Sequence, residues 1–154
     1  MIKKLFFPLV ALALAVFAVS CSNDDKDEPQ PVVSTDALPD QAKSFISLFF
    51  SDQPVKQLQV KGPADKPTGY ELDFVNGTEI DFNGEGSWTK IDAGPGLKVN
   101  DNLVPVNIRT FAQQNLGGAT VVEIDRSTGT YYSVEFSEGT DAIFDLHGQF
   151  IRYD

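Results

Sequence analysis

The chain has 154 residues, with 12 Lys and Arg against 22 Asp and Glu, one Cys, one His and one Trp. Its net charge of −10 at pH 7 argues against nucleic acid as a partner, because phosphate binding depends on basic contacts. A single Cys excludes an internal disulfide, and one Cys with one His leaves no zinc cluster.

The amino terminus reads as an address. Lys3 and Lys4 form a short positive region, and residues 5–19 follow as an uncharged apolar run containing Pro8. A run of about 15 residues suits a signal peptide and falls short of the roughly 20 that a spanning helix needs. It ends Ala18-Val19-Ser20-Cys21, which resembles the lipobox of bacterial lipoproteins, with Ala18 where Leu is usual. The resemblance implies cleavage before Cys21, acylation of its thiol and new amino group, and a stable membrane anchor, since each buried methylene contributes about 0.8 kcal/mol. The acidic run Ser22-Asn23-Asp24-Asp25-Lys26-Asp27-Glu28 resembles an export tag that places lipoproteins on the outer surface; the inner leaflet of the outer membrane is the alternative. Residues 1–20 are thus a signal peptide and 21–35 a polar linker too poor in apolar residues to fold. Loss of Lys3 and Lys4 leaves ten basic residues against 22 acidic, a net charge near −12.

Residues 36–154 suffice for one domain with a core. A helix opens it: Asp36 or a neighbour caps, Pro39 suits the first turn, and Ala42, Phe45, Ile46 and Phe49 form one apolar stripe. Strands are expected at 55–61, 68–75, 78–82 and 87–91, with alternation clearest at Tyr70, Leu72 and Phe74. Asn76-Gly77 predicts a two-residue hairpin with positive φ at both positions. After a connection at 93–103, Pro105 opens a second helix with Ile108, Phe111 and Ala112 inward, and Gly117-Gly118 ends it. Strands follow at 120–125, 130–136, 141–145 and 149–153.

The two halves, 36–92 and 104–154, align without gaps from Tyr70 onward. Tyr70, Phe74, Gly77, Thr78, Phe82, Gly86 and Asp92 meet the same residue types at Tyr132, Phe136, Gly139, Thr140, Phe144, Gly148 and Asp154, and Trp88 meets Phe150. Self-similarity of this kind predicts an α+β fold of two tandem helix-plus-antiparallel-strand repeats. One sheet of about eight strands carries both helices on one face and leaves the other open to water or a partner.

The repeated unit, Leu-Pro, a helix, then Tyr70-x-Leu72-x-Phe74-x-Asn76-Gly77-x-x-Ile80-x-Phe82-x-x-x-Gly86-x-Trp88, resembles the PepSY-like exported proteins. These in turn resemble the tandem-repeat β-lactamase inhibitor protein. The resemblance implies a sheet face that binds protein and no reaction. A peptidase is one conceivable target. No inhibitory loop matches residue by residue, so β-lactamase inhibition is not carried over.

The residues themselves favour binding over catalysis. His147 falls in a turn, no Ser sits in a nucleophile elbow, and Gly94-Pro95-Gly96 is too short for a phosphate loop. No cofactor is expected. Asp81, Asn83, Glu85 and Asp92 stand at calcium-loop spacing with Gly86 at the sixth position, but strands flank them where helices belong. The aromatics Trp88, Phe150, Tyr131 and Tyr153 are either core or a partner-binding patch on the open face. The expected function is a non-enzymatic envelope lipoprotein that binds a protein or peptide; the alternative is a small-ligand or cation-binding protein using acidic loops.

Overall fold

Period-two alternation with apolar residues on one side forces a strand to bury that side and expose the other. The computed structural model describes residues 34–154; the expected signal peptide, Cys21 and most of the linker lie outside them. The order is α1 (Asp40–Phe49), β1 (Val55–Lys61), β2 (Gly69–Phe74), β3 (Glu79–Asn83), β4 (Trp88–Asp92), α2 (Val106–Asn115), β5 (Val121–Asp125), β6 (Tyr132–Phe136), β7 (Asp141–Phe144) and β8 (Phe150–Tyr153). The fold is α+β, with a single eight-stranded sheet in sequence order, every neighbour antiparallel. Among the described residues no helix is long and apolar enough to cross a membrane.

One face carries the core. Leu58, Leu72, Ile80, Ile91, Ile124, Val134 and Ala142 lie opposite one another on seven successive strands. Six of them, Leu72 through Ala142, are buried. Full burial of a side chain such as Phe74, Phe136 or Phe144 stabilises by about 1.5–3 kcal/mol. Both helices close this face. Phe45 of α1 meets Phe82 edge-on at 5.9 Å, and Phe50 stacks on Phe74 at 5.4 Å. Phe111 of α2 meets Phe144 edge-on at 5.2 Å and stacks on Phe150 at 4.6 Å.

Three local expectations are corrected. Asp36 does not cap α1: Pro39 and Pro105 are themselves the N-cap residues, at φ −58° and −51°, with no side-chain cap bond. A proline there presets the chain direction into the helix and has no N–H to leave orphaned. Asn76-Gly77 is not a two-residue turn, because only Gly77 has positive φ. The loop is Val75-Asn76-Gly77, closed by Phe74 N–H to Thr78 O and Gly77 N–H to Phe74 O, with the Asn76 side chain accepting from Thr78 N–H. This is the three-residue hairpin with glycine in the left-handed position. Phe49 reaches only the edge of the core, and Ala42 alone of the α1 stripe is fully buried.

The hairpin after β3 seats α1. Gly86 has φ +89°, and a Cβ on it would lie 2.8 Å from Pro39 Cβ and 3.0 Å from the Ala42 nitrogen. Gly96 has φ +74° with nothing within 4 Å. Gly86→Ala should therefore cost about 2–4 kcal/mol, by backbone strain plus displacement of the helix, and Gly96→Ala only about 1 kcal/mol, by strain alone. Urea unfolding of the two variants measures the difference; equal losses would show that Gly86 does not set the helix position.

Candidate functional site: the open face of the sheet

The residues between the apolar positions of each strand point away from the helices. One row of them is carboxylate on six successive strands: Asp73 faces Glu79, Glu79 faces Asp92, Asp92 faces Glu123, Glu123 faces Glu135, and Glu135 faces Asp141. At the usual strand spacing the row runs about 24 Å. The neighbouring row is mixed, with Glu71 facing Asp81, Asp81 facing Lys90, and Lys90 facing Asp125.

Two lysines answer part of this charge. Lys61 reaches Asp81 at 2.7 Å and Glu71 at 2.9 Å. Its pKa is raised, first by the hydrogen bond to Asp81 and then by Glu71, against some desolvation. Lys90 contacts Glu123 at 3.0 Å. Partial burial disfavours its charge, but the hydrogen bond and charge of Glu123, with Asp92 and Glu79, raise its pKa overall. Glu79 has the opposite balance: desolvation, then the charge of Glu71, push its pKa above the ordinary 4.5. Carboxylate oxygens of Glu71, Asp73 and Glu79 lie within 4.8 Å of one another, all half-buried.

The residues expected to carry function fall elsewhere. Trp88 is half-buried on the helix side, 6.4 Å from Phe45, with the Arg126 guanidinium 3.8 Å over its ring. Phe150 and Tyr153 pack with Phe111 on the helix side and are partly exposed there, while Tyr131 is exposed just before β6. These four rings form no patch on the open face, because the β4 and β8 register turns Trp88 and Phe150 toward Phe82 and Phe144.

The calcium-loop spacing resolves into the β3–β4 hairpin. Asp81 is held by Lys61, and Asn83 Oδ1 accepts from Glu85 N–H and Ser87 N–H, so it shapes the turn. Glu85 is exposed, and Asp92 stands two strands from Asp73 in the carboxylate row. Asp145 repeats the role of Asn83, accepting from His147 N–H and Gln149 N–H. His147 is exposed in that turn. Sequence reasoning missed the carboxylate row; the available signal was an acid at nearly every outward position of β2, β3, β5 and β6.

These features define a helix-backed antiparallel sheet with an acidic open face. The family model described as "Putative beta-lactamase-inhibitor-like, PepSY-like" matches residues 68–152, and the chain belongs to the PepSY-like family. A solved Bacteroides thetaiotaomicron structure, described as a "putative calcium-regulated periplasmic protein", is 28% identical, with a TM-score of 0.70 over 79% of this chain and 94% of that one. Two "putative periplasmic protein" structures from Bacteroides vulgatus are each 26% identical. The first, of the DUF2874 family, has a TM-score of 0.70 over 79% and 94%. The second has 0.68 over 76% and 91%. No curated protein matches the chain.

The raised pKa of Glu79 has a definite sign for stability. Its carboxyl binds its proton more tightly folded than unfolded, so its contribution is present while it is protonated. That contribution is lost as pH rises through 4.5 and then through the higher folded value. Glu79→Gln should raise the melting temperature at neutral pH, and the gain should vanish well below pH 4.5. Melting curves across this range check it; a variant less stable at neutral pH would contradict it.

Proposed function

We propose that the protein is a non-enzymatic binding module of the bacterial envelope, taking a basic protein or peptide on its open sheet face. The carboxylate row Asp73–Glu79–Asp92–Glu123–Glu135–Asp141 carries the reading. Like charges directly opposite on paired strands are destabilising, each by about 0.2–1 kcal/mol. A neutral row would avoid that cost, so five consecutive acid–acid pairings are best explained by a ligand of opposite charge. The periplasmic descriptions of the Bacteroides relatives support an envelope location.

The module is organised as two tandem repeats, 36–92 and 104–154. Each has one helix and four strands, a left-handed glycine in corresponding hairpins (Gly77 and Gly139, Gly86 and Gly148) and a matching Asn83 or Asp145 turn. A lipid on Cys21 tethers it to the outer membrane, through the linker 21–35 and with the domain at the cell surface; the Lys3-Lys4 start, the apolar run and Ala18-Val19-Ser20-Cys21 support this. Cys21→Ala should then move the protein from the membrane fraction to the soluble fraction. Unchanged sedimentation with membranes would sink the anchor.

A second reading has its own observation. The Glu71, Asp73 and Glu79 oxygens, within 4.8 Å of one another, fit around one calcium ion, whose oxygen ligands sit at about 2.3–2.6 Å. The relative described as calcium-regulated favours it. This reading puts the cation on Glu71, Asp73 and Glu79 and not on the four residues at calcium-loop spacing, of which Asp81 and Asn83 lie on β3, Asp92 on β4 and Glu85 in the turn between them.

One titration series separates the readings. A lysine-rich peptide should bind with an affinity that falls with salt. Joint Asp92→Asn, Glu123→Gln and Glu135→Gln should weaken it about tenfold or more, while the charge-matched loop set Asp52→Asn, Asp65→Asn and Glu138→Gln should change it little. Equal losses in both sets would reduce the row to bulk charge. Calcium, in contrast, should raise the melting temperature of the wild type and not of Asp73→Asn; no shift at millimolar calcium would remove the second reading.

A further inference from the structure

The helix side holds a site of the opposite sign. Where the segment leading into α2 passes over the ends of β4, β5 and β6, it leaves an open groove of about 460 Å³, lined by residues that include Trp88, Asp101, Val104, Arg109, Arg126 and Tyr132. That size lies in the range of small-ligand sites. In a chain of net charge −10, two arginines in one groove call for an explanation.

Among the described residues Lys43, Lys61, Lys90, Lys98 and Arg152 are paired with carboxylates. Arg109 and Arg126 are not, nor are the exposed Lys56 and Lys66, but of these four only the two arginines line this groove. Backbone and ring contacts hold them instead. Arg126 donates from Nε and Nη2 to Trp88 O, at 3.0 and 2.9 Å, and its guanidinium carbon sits 3.8 Å from the centre of the Trp88 ring. Arg109 donates from Nε to Val104 O at 3.3 Å. A guanidinium has five N–H donors, so each retains unspent donors on its terminal nitrogens after these bonds. Asp101, the one acid at the groove, is engaged by Lys98 at 2.8 Å. Arg126 is thus held in place before any ligand arrives and the exposed Arg109 is oriented by one backbone bond, which lowers the entropic cost of binding a planar anion.

We propose that this groove is a carboxylate-binding site, distinct from the open face. Arg109 and Arg126 receive the carboxylate, and Trp88, Tyr132 and Val104 receive the apolar group next to it. The ligand class is a peptide carboxylate, either a chain terminus or an acidic side chain, beside an aromatic or aliphatic residue. Arginine forks match carboxylates in two-point geometry, and the rings supply the apolar walls.

Trp88 is the only tryptophan, so its emission reports on the groove. N-acetyl-phenylalanine should change it saturably, and N-acetyl-phenylalanine amide, which lacks the charge, should bind at least about tenfold more weakly. N-acetyl-glutamic acid amide tests the side-chain source against the terminal one, and binding of either acid supports the site. Arg109→Gln should weaken the acid about tenfold without lowering the melting temperature. Arg126→Lys keeps the charge and loses the fork, and should also weaken it. Asp73→Asn on the open face should leave this binding unchanged, which separates the result from the proposed basic-partner face. Three outcomes overturn the proposal: no saturable change with either acid on folded protein, equal binding of acid and amide, or tighter binding of inorganic phosphate than of the acids.

Discussion

The pairing of β4 with β5 makes the two helix-and-strand halves one sheet. Lys90, Ile91 and Asp92 lie opposite Asp125, Ile124 and Glu123, although α2 intervenes in the chain. Backbone bonds beyond the strands lengthen the seam: Ala93 N–H to Val122 O, Val99 N–H to Val121 O, and Arg126 N–H to Thr89 O. Ile91 and Ile124, both buried, continue the apolar row across the seam. Because the pleat keeps its phase there, both helices find apolar surface on the same side. For the same reason every outward acid of both halves reaches the same opposite side. A one-residue slip would reverse one half and put its carboxylates under a helix.

The seam also sets an electrostatic conflict. Asp92 meets Glu123 directly across it, inside a run of acids that continues on either side. Lys90 lies next to that meeting point and takes Glu123 at 3.0 Å, which offsets the repulsion where the halves join. Among the described residues no lysine faces the row at Glu135 and Asp141, where opposed carboxylates stand exposed. At Glu79 the cost appears as a carboxyl that holds its proton above its ordinary range. The fold therefore tolerates repulsion on one face because the apolar row and the aromatic contacts of α1 and α2 secure the other.

Much of the architecture was legible in the sequence. Alternation at Tyr70, Leu72 and Phe74 named the inward side of β2, and the spacing of Ile108, Phe111 and Ala112 named the inward side of α2. Local signals misled where a side chain had two possible uses. Asn76 reads as a left-handed turn residue, yet it serves by accepting Thr78 N–H in an ordinary backbone conformation. Trp88 and Phe150 were readable as either core or partner patch, and partners on the preceding strand turn both toward the helix side. The carboxylate row was harder to see, since it depends on register between residues as distant as Asp92 and Glu123. Irregular steps in β3–β4 and β5–β6 pairing also break simple counting from turn to turn.

The two charged regions differ in kind as well as sign. The open-face acids are spread across six strands on short side chains, and most lack a cation of their own. They favour a broad counter-charged surface whose attraction weakens with salt. Arg109 and Arg126 instead converge on one groove, each pinned by a backbone carbonyl, which favours one small planar group held by geometry. Because the sheet itself lies between them, ligands on the two sides do not compete for the same atoms. Arg126 nonetheless follows Asp125, whose neighbour across the seam is Lys90. The β4–β5 pairing that holds the halves together thus also links residues of the two faces.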